Sequence, residues 1–112
     1  MEIAAGQIYF LRKGATVGYA DYGRPCLVLR ASKASAAVCY FSTKMDYVEP
    51  GDVAIYPADA DFKASGLRDA SYIVPDLIDN VMLNVFEGAK LLGRATGDFK
   101  ANVEDWYGAP LL

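Results

Sequence analysis

Apolar residues lie along this chain in short runs that are separated by glycine, proline and polar residues. The runs at 26–29 and 36–41 are unbroken, which is typical of strands buried on both faces, and a first strand is predicted at 7–11. The turn at 32–35 is short, so the two unbroken strands are expected to pair as a hairpin. The run at 52–56 alternates between apolar and polar residues and indicates a half-exposed strand.

The second half of the chain continues this pattern. A strand is predicted at 71–74, and we expect it to break at Pro75, before a corner at 76–80. The apolar runs at 81–86 and 90–93 predict either two last short strands or a helical turn followed by one strand.

One helix is predicted, near the C-terminus. Asp98 is the expected N-cap, the helix continues through Tyr107, and Gly108 is the expected stop. Apolar residues at helical spacing form one stripe that is expected to dock on the sheet: Phe99, Val103 and Trp106. Three polar residues are expected to face water: Lys100, Glu104 and Asp105. The fold class is therefore mainly β with a C-terminal helix, as a small, strongly curved antiparallel sheet or barrel.

Length and composition fit one globular unit. The chain has 112 residues, of which 54% are hydrophobic and 22% charged, so we predict a single domain over 1–112. No apolar run reaches the length of a membrane span, and the first residues lack a secretory signal, so a cytoplasmic location is expected. Cys26 and Cys39 lie in strand-like runs and are expected to be buried thiols or a contacting pair on adjacent strands.

The chain contains no histidine, and this restricts its chemistry. Histidine bases, Ser-His and Cys-His nucleophile pairs and most zinc sites are excluded, so catalysis would use arginine, lysine, tyrosine, hydroxyls or carboxylates. Asp59 and Asp61 could ligate a cation, but further oxygen ligands are missing, and we assign a loop there. A turn-rich segment is expected at 62–71. We expect neither a metal nor a cofactor.

Charge is unevenly distributed along the chain. Residues 1–44 contain six basic and two acidic residues, whereas residues 45–112 contain five basic and twelve acidic ones, so the halves carry +4 and −7. An acidic chain is a poor nonspecific binder of nucleic acid, yet a local basic face could hold a phosphate backbone. The other interpretation is a solvated surface without a partner.

Arg24 is the first candidate for chemistry. It lies between a long glycine-bearing loop and the strand that Pro25 opens, and its guanidinium suits a phosphate or a carboxylate. The hairpin is expected to bring Ser42 and Thr43 to the same edge. Two structural alternatives stay open: an arginine that closes a turn, and hydroxyls that serve ordinary strand-end turns.

The loop at 12–23 adds two aromatic residues. Tyr19 and Tyr22 could stack on nucleobases or pack on the rim of the barrel. A loop of this length in a compact domain is more often functional than structural.

The order of segments over nearly the whole chain resembles the MazF/PemK (Kid-like) toxins of type II toxin-antitoxin systems. The matching segments are GQIY at 6–9, GRPCLVL at 23–29, ST at 42–43, FKASGL at 62–67, SYIVPD at 71–76 and LG at 92–93. The resemblance implies an SH3-like barrel, a homodimer, and metal-independent cleavage of single-stranded RNA at short sequences. It also implies a partner antitoxin with a flexible tail.

The resemblance carries over to few residues. Arg24 matches the active-site arginine, Thr43, with Ser42 beside it, matches the hydroxyl residue, and Asp76 matches the late acidic position. The implied catalytic residues are Arg24, Thr43 and Ser42, and Asp76 is an implied substrate contact. From their own positions in the sequence, Tyr22, Tyr19 and Lys44 are further candidate substrate contacts. Two departures concern activity: the chain lacks the loop histidine of some members and has Val74 where some have arginine.

The implied function is an endoribonuclease toxin in which the RNA supplies its own nucleophile, the 2′-hydroxyl. The protein then mainly fixes geometry and stabilises charge on the phosphate. The alternatives are a protein-binding poison, as in the gyrase-directed CcdB relatives, and an inactive barrel that binds a partner.

Overall fold

Six strands form the framework of the protein. The computed structural model describes residues 2–12 and 23–112, and within them one sheet has the order β4-β5-β3-β2-β1-β6, with every pairing antiparallel. The strands are β1 Gln7–Leu11, β2 Arg24–Ala31, β3 Ser35–Ser42, β4 Ala54–Ile55, β5 Ser71–Met82 and β6 Lys90–Arg94, and the helices are α1 Phe62–Ser65 and α2 Gly97–Tyr107. The sheet curls into a half-barrel, which confirms the predicted fold class.

The central strand β2 is buried on both faces of the sheet. Along β2, Leu27 and Leu29 point into a core beneath α2, whereas Cys26 and Val28 point into a second core against Phe86. All four residues have 0–1% of their surface exposed. This is the arrangement that an unbroken apolar run predicts.

The hairpin between β2 and β3 is confirmed. Its ladder pairs Cys26 with Tyr40 and Ala31 with Ala36. The turn is closed by Ser32, whose N–H donates to the carbonyl oxygen of Ser35 at 2.8 Å, while its Oγ accepts from the Ser35 N–H at 3.2 Å. The turn chemistry of serine thus sets the register that brings the opposite ends of the two strands together.

The prediction that the strand breaks at Pro75 is wrong. β5 continues through Pro75 to Met82, and the predicted corner at 76–80 is part of the strand. Cys39 of β3 pairs with Ile78 of β5, and Phe41 pairs with Ile73. Only Tyr40 lies between these two pairs on β3, whereas four residues lie between them on β5. Pro75 lies within this bulge, where a missing N–H costs no regular ladder bond.

Other segments differ in extent from the sequence prediction. The strand predicted at 52–56 is reduced to the two residues of β4, and α1 lies within the segment predicted as turns. Of the two alternatives for 81–86, the helical turn followed by one strand is the observed one, as the 3₁₀ turn Leu83–Phe86 and then β6.

The helix α2 begins earlier than predicted. Its N-cap is Thr96, not Asp98, and Gly108 ends it with a φ of 82°, as predicted. Phe99 and Val103 are buried in the core beneath it, with 4% and 0% exposed, and Trp106 is partly buried against the same core. Burying each of the first two side chains contributes about 1.5–3 kcal/mol, which holds a helix of this length in place.

Two acidic residues have unexpected partners around α2. Asp61, predicted to lie in a loop, accepts hydrogen bonds from the Thr96 hydroxyl at 2.9 Å and from the Phe99 N–H at 3.3 Å. Glu104, predicted to face water, accepts from the Leu111 N–H at 2.8 Å. Asp61 is distant in sequence from Thr96 and Phe99, and Leu111 lies beyond the end of α2. Helical periodicity therefore does not predict these contacts.

The two cysteines are free and buried, and they do not form a contacting pair that bridges the strands. Cys26 belongs to the core against Phe86 and Cys39 to the core beneath α2, on the opposite face of the sheet. Of the two expectations for the cysteines, the structure supports buried thiols.

Candidate nucleic-acid interface

Arg24 and Ser42 lie at the same end of the β2–β3 hairpin. Arg24 is the first residue of β2 and pairs with Leu11 of β1, and Ser42 is the last residue of β3. Continuing the Cys26–Tyr40 register by two residues places Arg24 opposite Ser42. Both residues are partly buried, so a guanidinium and a hydroxyl are held at one edge of the sheet by regular backbone pairing.

The hydroxyl group of Ser42 can donate a hydrogen bond. Its Oγ accepts from the Lys44 N–H at 3.1 Å, which leaves the hydroxyl proton to point elsewhere. Lys44 itself is exposed, directly before the 3₁₀ turn Met45–Tyr47. The chain therefore turns immediately after Ser42 and presents Thr43 and Lys44 to solvent.

Thr43 lines a cavity of about 360 Å³ next to this edge, which we call the Thr43 cavity. Its walls come from five segments of the chain, and its described lining residues are Phe10, Pro25, Thr43, Gly66, Leu67, Arg68, Asp69, Ser71, Lys90 and Leu92. Two cationic side chains and one carboxylate give the described part of the lining a charge of +1, in a chain whose net charge is −3. An exposed aromatic ring, Phe10, lies beside them with 40% of its surface exposed.

The β1–β2 and β1–β6 ladders assemble the floor of the cavity. Phe10 pairs with Pro25 on one side and with Lys90 on the other. On the loop side, Gly23 allows the Phe10 ring to lie against the backbone, since a Cβ on Gly23 would collide with the ring and with the Leu11 carbonyl. A side chain at position 23 would displace the Phe10 ring from the lining of the cavity.

The roof of the cavity depends on a close backbone contact between α1 and β6. A Cβ on Gly66 would collide with the Leu92 carbonyl, and one on Gly93 would collide with the Ala64 carbonyl. Gly66 also ends α1 with a φ of 73°. These glycines let the turn that carries Arg68 and Asp69 lie over the strand that carries Lys90.

The predicted site residues divide into groups. Arg24, Ser42 and Thr43 lie at one edge, and Lys44 follows them. Asp76 is exposed in the bulge of β5, beyond β3, and it does not line the Thr43 cavity. Tyr19 and Tyr22 lie outside the described residues.

Three cavity residues were missed by the sequence prediction: Phe10, Arg68 and Lys90. Phe10 lies in a run where every residue is apolar, so alternation gave no sign that it faces outward. Arg68 directly follows FKASGL, one of the segments that resemble the toxin family, and Lys90 is the first residue of an apolar run. Both residues therefore lie next to a sequence pattern that was used in the prediction.

The buried thiols and a buried phenol are not reactive groups of this site. Burial raises the pKa of Cys26 to about 12 and also raises the pKa of Cys39. Burial, followed by the proximity of Cys26, raises the pKa of Tyr9, whose hydroxyl donates to Gln7 Oε1 at 3.1 Å. These groups remain protonated at neutral pH, so nucleophilic chemistry by a thiolate is not supported.

Among the described residues, no group of three or more histidine, cysteine or acidic side chains lies close enough to hold one metal ion. No helix in the described part of the chain is long and apolar enough to cross a membrane.

The comparisons with known proteins bear on the fold. No protein-family model matches the sequence, and a search of curated proteins gives no match. Among solved structures, the chain is similar to a crystal structure of MazF (Form-I) from Deinococcus radiodurans, with a TM-score of 0.66 over 96% of this chain and 94% of that one. Sequence identity is 20%, so this similarity shows the fold. The protein has the SH3-like barrel fold of MazF.

Proposed function

We propose that this protein is a metal-independent endoribonuclease that cleaves single-stranded RNA as the toxin of a type II toxin-antitoxin system. The observation that supports the proposal is the backbone register that places Arg24 opposite Ser42 at one end of the β2–β3 hairpin. Thr43 directly follows Ser42 and lines a neighbouring cavity whose described lining residues carry a net positive charge. This end of the hairpin belongs to a fold shared with MazF. The family resemblance of the sequence supports the same activity.

In the proposed reaction the 2′-hydroxyl oxygen of the RNA attacks the adjacent phosphorus. A bond from the 2′-oxygen to phosphorus forms, and the bond from phosphorus to the 5′-oxygen of the next nucleotide breaks. The 2′-hydroxyl proton leaves to solvent and a proton is added to the departing 5′-oxygen. The products are a 2′,3′-cyclic phosphate and a 5′-hydroxyl.

The protein's contribution is charge stabilisation and orientation. Arg24 holds the scissile phosphate and stabilises the charge that develops on its oxygens, and Thr43 or Ser42 donates a hydrogen bond to a phosphate oxygen. None of these steps requires histidine, because the nucleophile comes with the substrate.

The cavity residues supply the remaining contacts in this proposal. Lys90 and Arg68 bind flanking phosphates, and the exposed face of Phe10 stacks on a base. Asp76, which lies beyond β3, contacts a base or accepts a proton. Lys44, Tyr19 and Tyr22 add substrate contacts. In this proposal the protein is a cytoplasmic homodimer. Its partner is an antitoxin whose flexible tail blocks the RNA-binding surface.

The test is digestion of a long single-stranded RNA in EDTA, with cut ends mapped by primer extension. The wild-type protein is compared with Arg24→Ala and with Arg30→Ala, which removes an exposed arginine further along β2. The proposal predicts cuts at a recurring short motif that Arg30→Ala retains and Arg24→Ala loses by about a hundredfold or more in rate. Intact RNA with the wild-type protein in excess would instead favour the protein-binding poison or the inactive barrel.

A further inference from the structure

A second cavity lies on another part of the surface, between residues 48–56 and α2. Its volume is about 700 Å³, and its lining shares no residue with the Thr43 cavity. We call it the acidic groove, and its polar and aromatic lining residues are Glu49, Asp52, Tyr56, Asn102, Asp105 and Trp106.

The charge of the acidic groove is opposite to that of the Thr43 cavity. Glu49, Asp52 and Asp105 line it, and within the described part of the chain no lysine or arginine does. Asp52 is held in place by the Glu49 N–H, which donates to its Oδ2 at 2.9 Å. The formal charges of these described lining residues are all negative, which disfavours the phosphates of RNA.

Two aromatic rings complete the groove. Trp106 packs its partly buried indole against the core beneath α2, and Tyr56 has 45% of its surface exposed. Carboxylates beside aromatic faces favour organic cations, and arginine most of all, because its planar guanidinium both stacks on a ring and pairs with carboxylates.

The size of the groove favours an extended ligand over a metal ion. Among the described residues no three acidic side chains are close enough to share one metal, so the three carboxylates of the groove do not form one metal site. A cavity of about 700 Å³ also exceeds the needs of a single cationic side chain. Several cations on one flexible backbone fit this arrangement better than one compact ion.

We propose that the acidic groove binds an arginine-containing basic peptide segment of a partner protein. The guanidinium groups pair with Glu49 and Asp105, and one of them stacks on Trp106. This interaction is separate from the proposed RNA cleavage and does not depend on Arg24.

Trp106 gives a direct assay, because it is the one tryptophan in the chain. Its fluorescence is followed while an acetylated and amidated Arg-Gly-Arg-Gly-Arg peptide is added to the full-length protein. The tested variant is Glu49→Gln with Asp105→Asn, and the matched control is Glu87→Gln with Asp98→Asn, which removes the same charge from exposed positions outside the groove. Urea denaturation of each variant confirms that it is folded.

The proposal predicts saturable binding that weakens with salt, and an apparent Kd that rises about three- to tenfold in the groove variant but not in the control. It is overturned by equal weakening in both variants, which would indicate nonspecific charge attraction. It is likewise overturned by no response to the peptide, or by equal responses to a single-stranded RNA or to a Glu-Gly-Glu-Gly-Glu peptide. Loss of the peptide response at higher protein concentration would also contradict it, because a second copy would then occupy the groove.

Discussion

Phe10 and Lys90 are direct cross-strand partners in the β1–β6 ladder, and both line the Thr43 cavity. The pairing places an exposed aromatic face next to an ammonium group at the edge where β2 begins. A nucleotide carries a flat base and a charged phosphate, so an aromatic ring and an ammonium group on paired residues are suited to one nucleotide unit of a single strand.

Lys90→Gln is expected to weaken RNA binding and to reduce the slope of log K against log salt concentration by about 0.7, because one phosphate contact to a single strand is lost. Fluorescence anisotropy with a labelled single-stranded RNA at several salt concentrations measures this slope. Lys33→Gln is the matched control, since Lys33 is exposed in the turn at the other end of the hairpin. Equal slopes for wild type and Lys90→Gln would remove Lys90 from the RNA interface.

Thr43→Ala is expected to slow RNA cleavage by about tenfold to a hundredfold, because a hydrogen bond to a charged phosphate oxygen is lost. Thr43→Ser keeps the hydroxyl and is expected to retain most of the rate. The measurement is single-turnover cleavage with protein in excess, which separates the chemical step from binding. If both variants lost activity equally, the methyl group of Thr43, rather than its hydroxyl, would be what matters.

Asp61→Ala is expected to lower the free energy of unfolding by about 0.5–2 kcal/mol, because the Phe99 N–H at the start of α2 loses its acceptor. Asp98→Ala is the informative comparison, since Asp98 lies in the first turn of α2 but is not its N-cap. Its expected effect is smaller, about 0.3–1 kcal/mol through the helix dipole. Urea denaturation measures both, and a larger loss for Asp98→Ala would contradict the assignment of Asp61.

The buried thiols are expected to make the fold less stable in alkaline solution. The pKa of Cys26 is raised from 9.0 to about 12, so the folded state keeps its proton where the unfolded state releases it. Stability from this group is complete below pH 9 and falls as the pH rises toward 12. Urea denaturation across this range is expected to show a weaker pH dependence for Cys26→Ala than for wild type. Identical slopes would show that Cys26 does not contribute.

The sequence predicted the local elements well because their signals are local. The hairpin follows from two unbroken apolar runs and a serine turn, and the end of α2 follows from Gly108. The edge that holds Arg24, Ser42 and Thr43 is then a consequence of antiparallel pairing.

Features that depend on distant contacts were missed or mistaken. Pro75 stays within β5 only because a bulge opposite Tyr40 accommodates it, and α2 begins before Asp98 because Asp61 accepts its first hydrogen bonds. Phe10 and Lys90 meet only after β6 has paired with β1. No periodicity in the sequence carries this information.

The most direct test of the proposed ribonuclease uses two oligonucleotides that contain one cleavage motif. One is all RNA, and the other has a single 2′-deoxy residue at the position 5′ to the cut. The account predicts that wild-type protein in EDTA cleaves the first to a 2′,3′-cyclic phosphate and a 5′-hydroxyl and leaves the second intact. Cleavage of both oligonucleotides at the same rate would contradict attack by the 2′-hydroxyl and, with it, the proposed roles of Arg24 and Thr43.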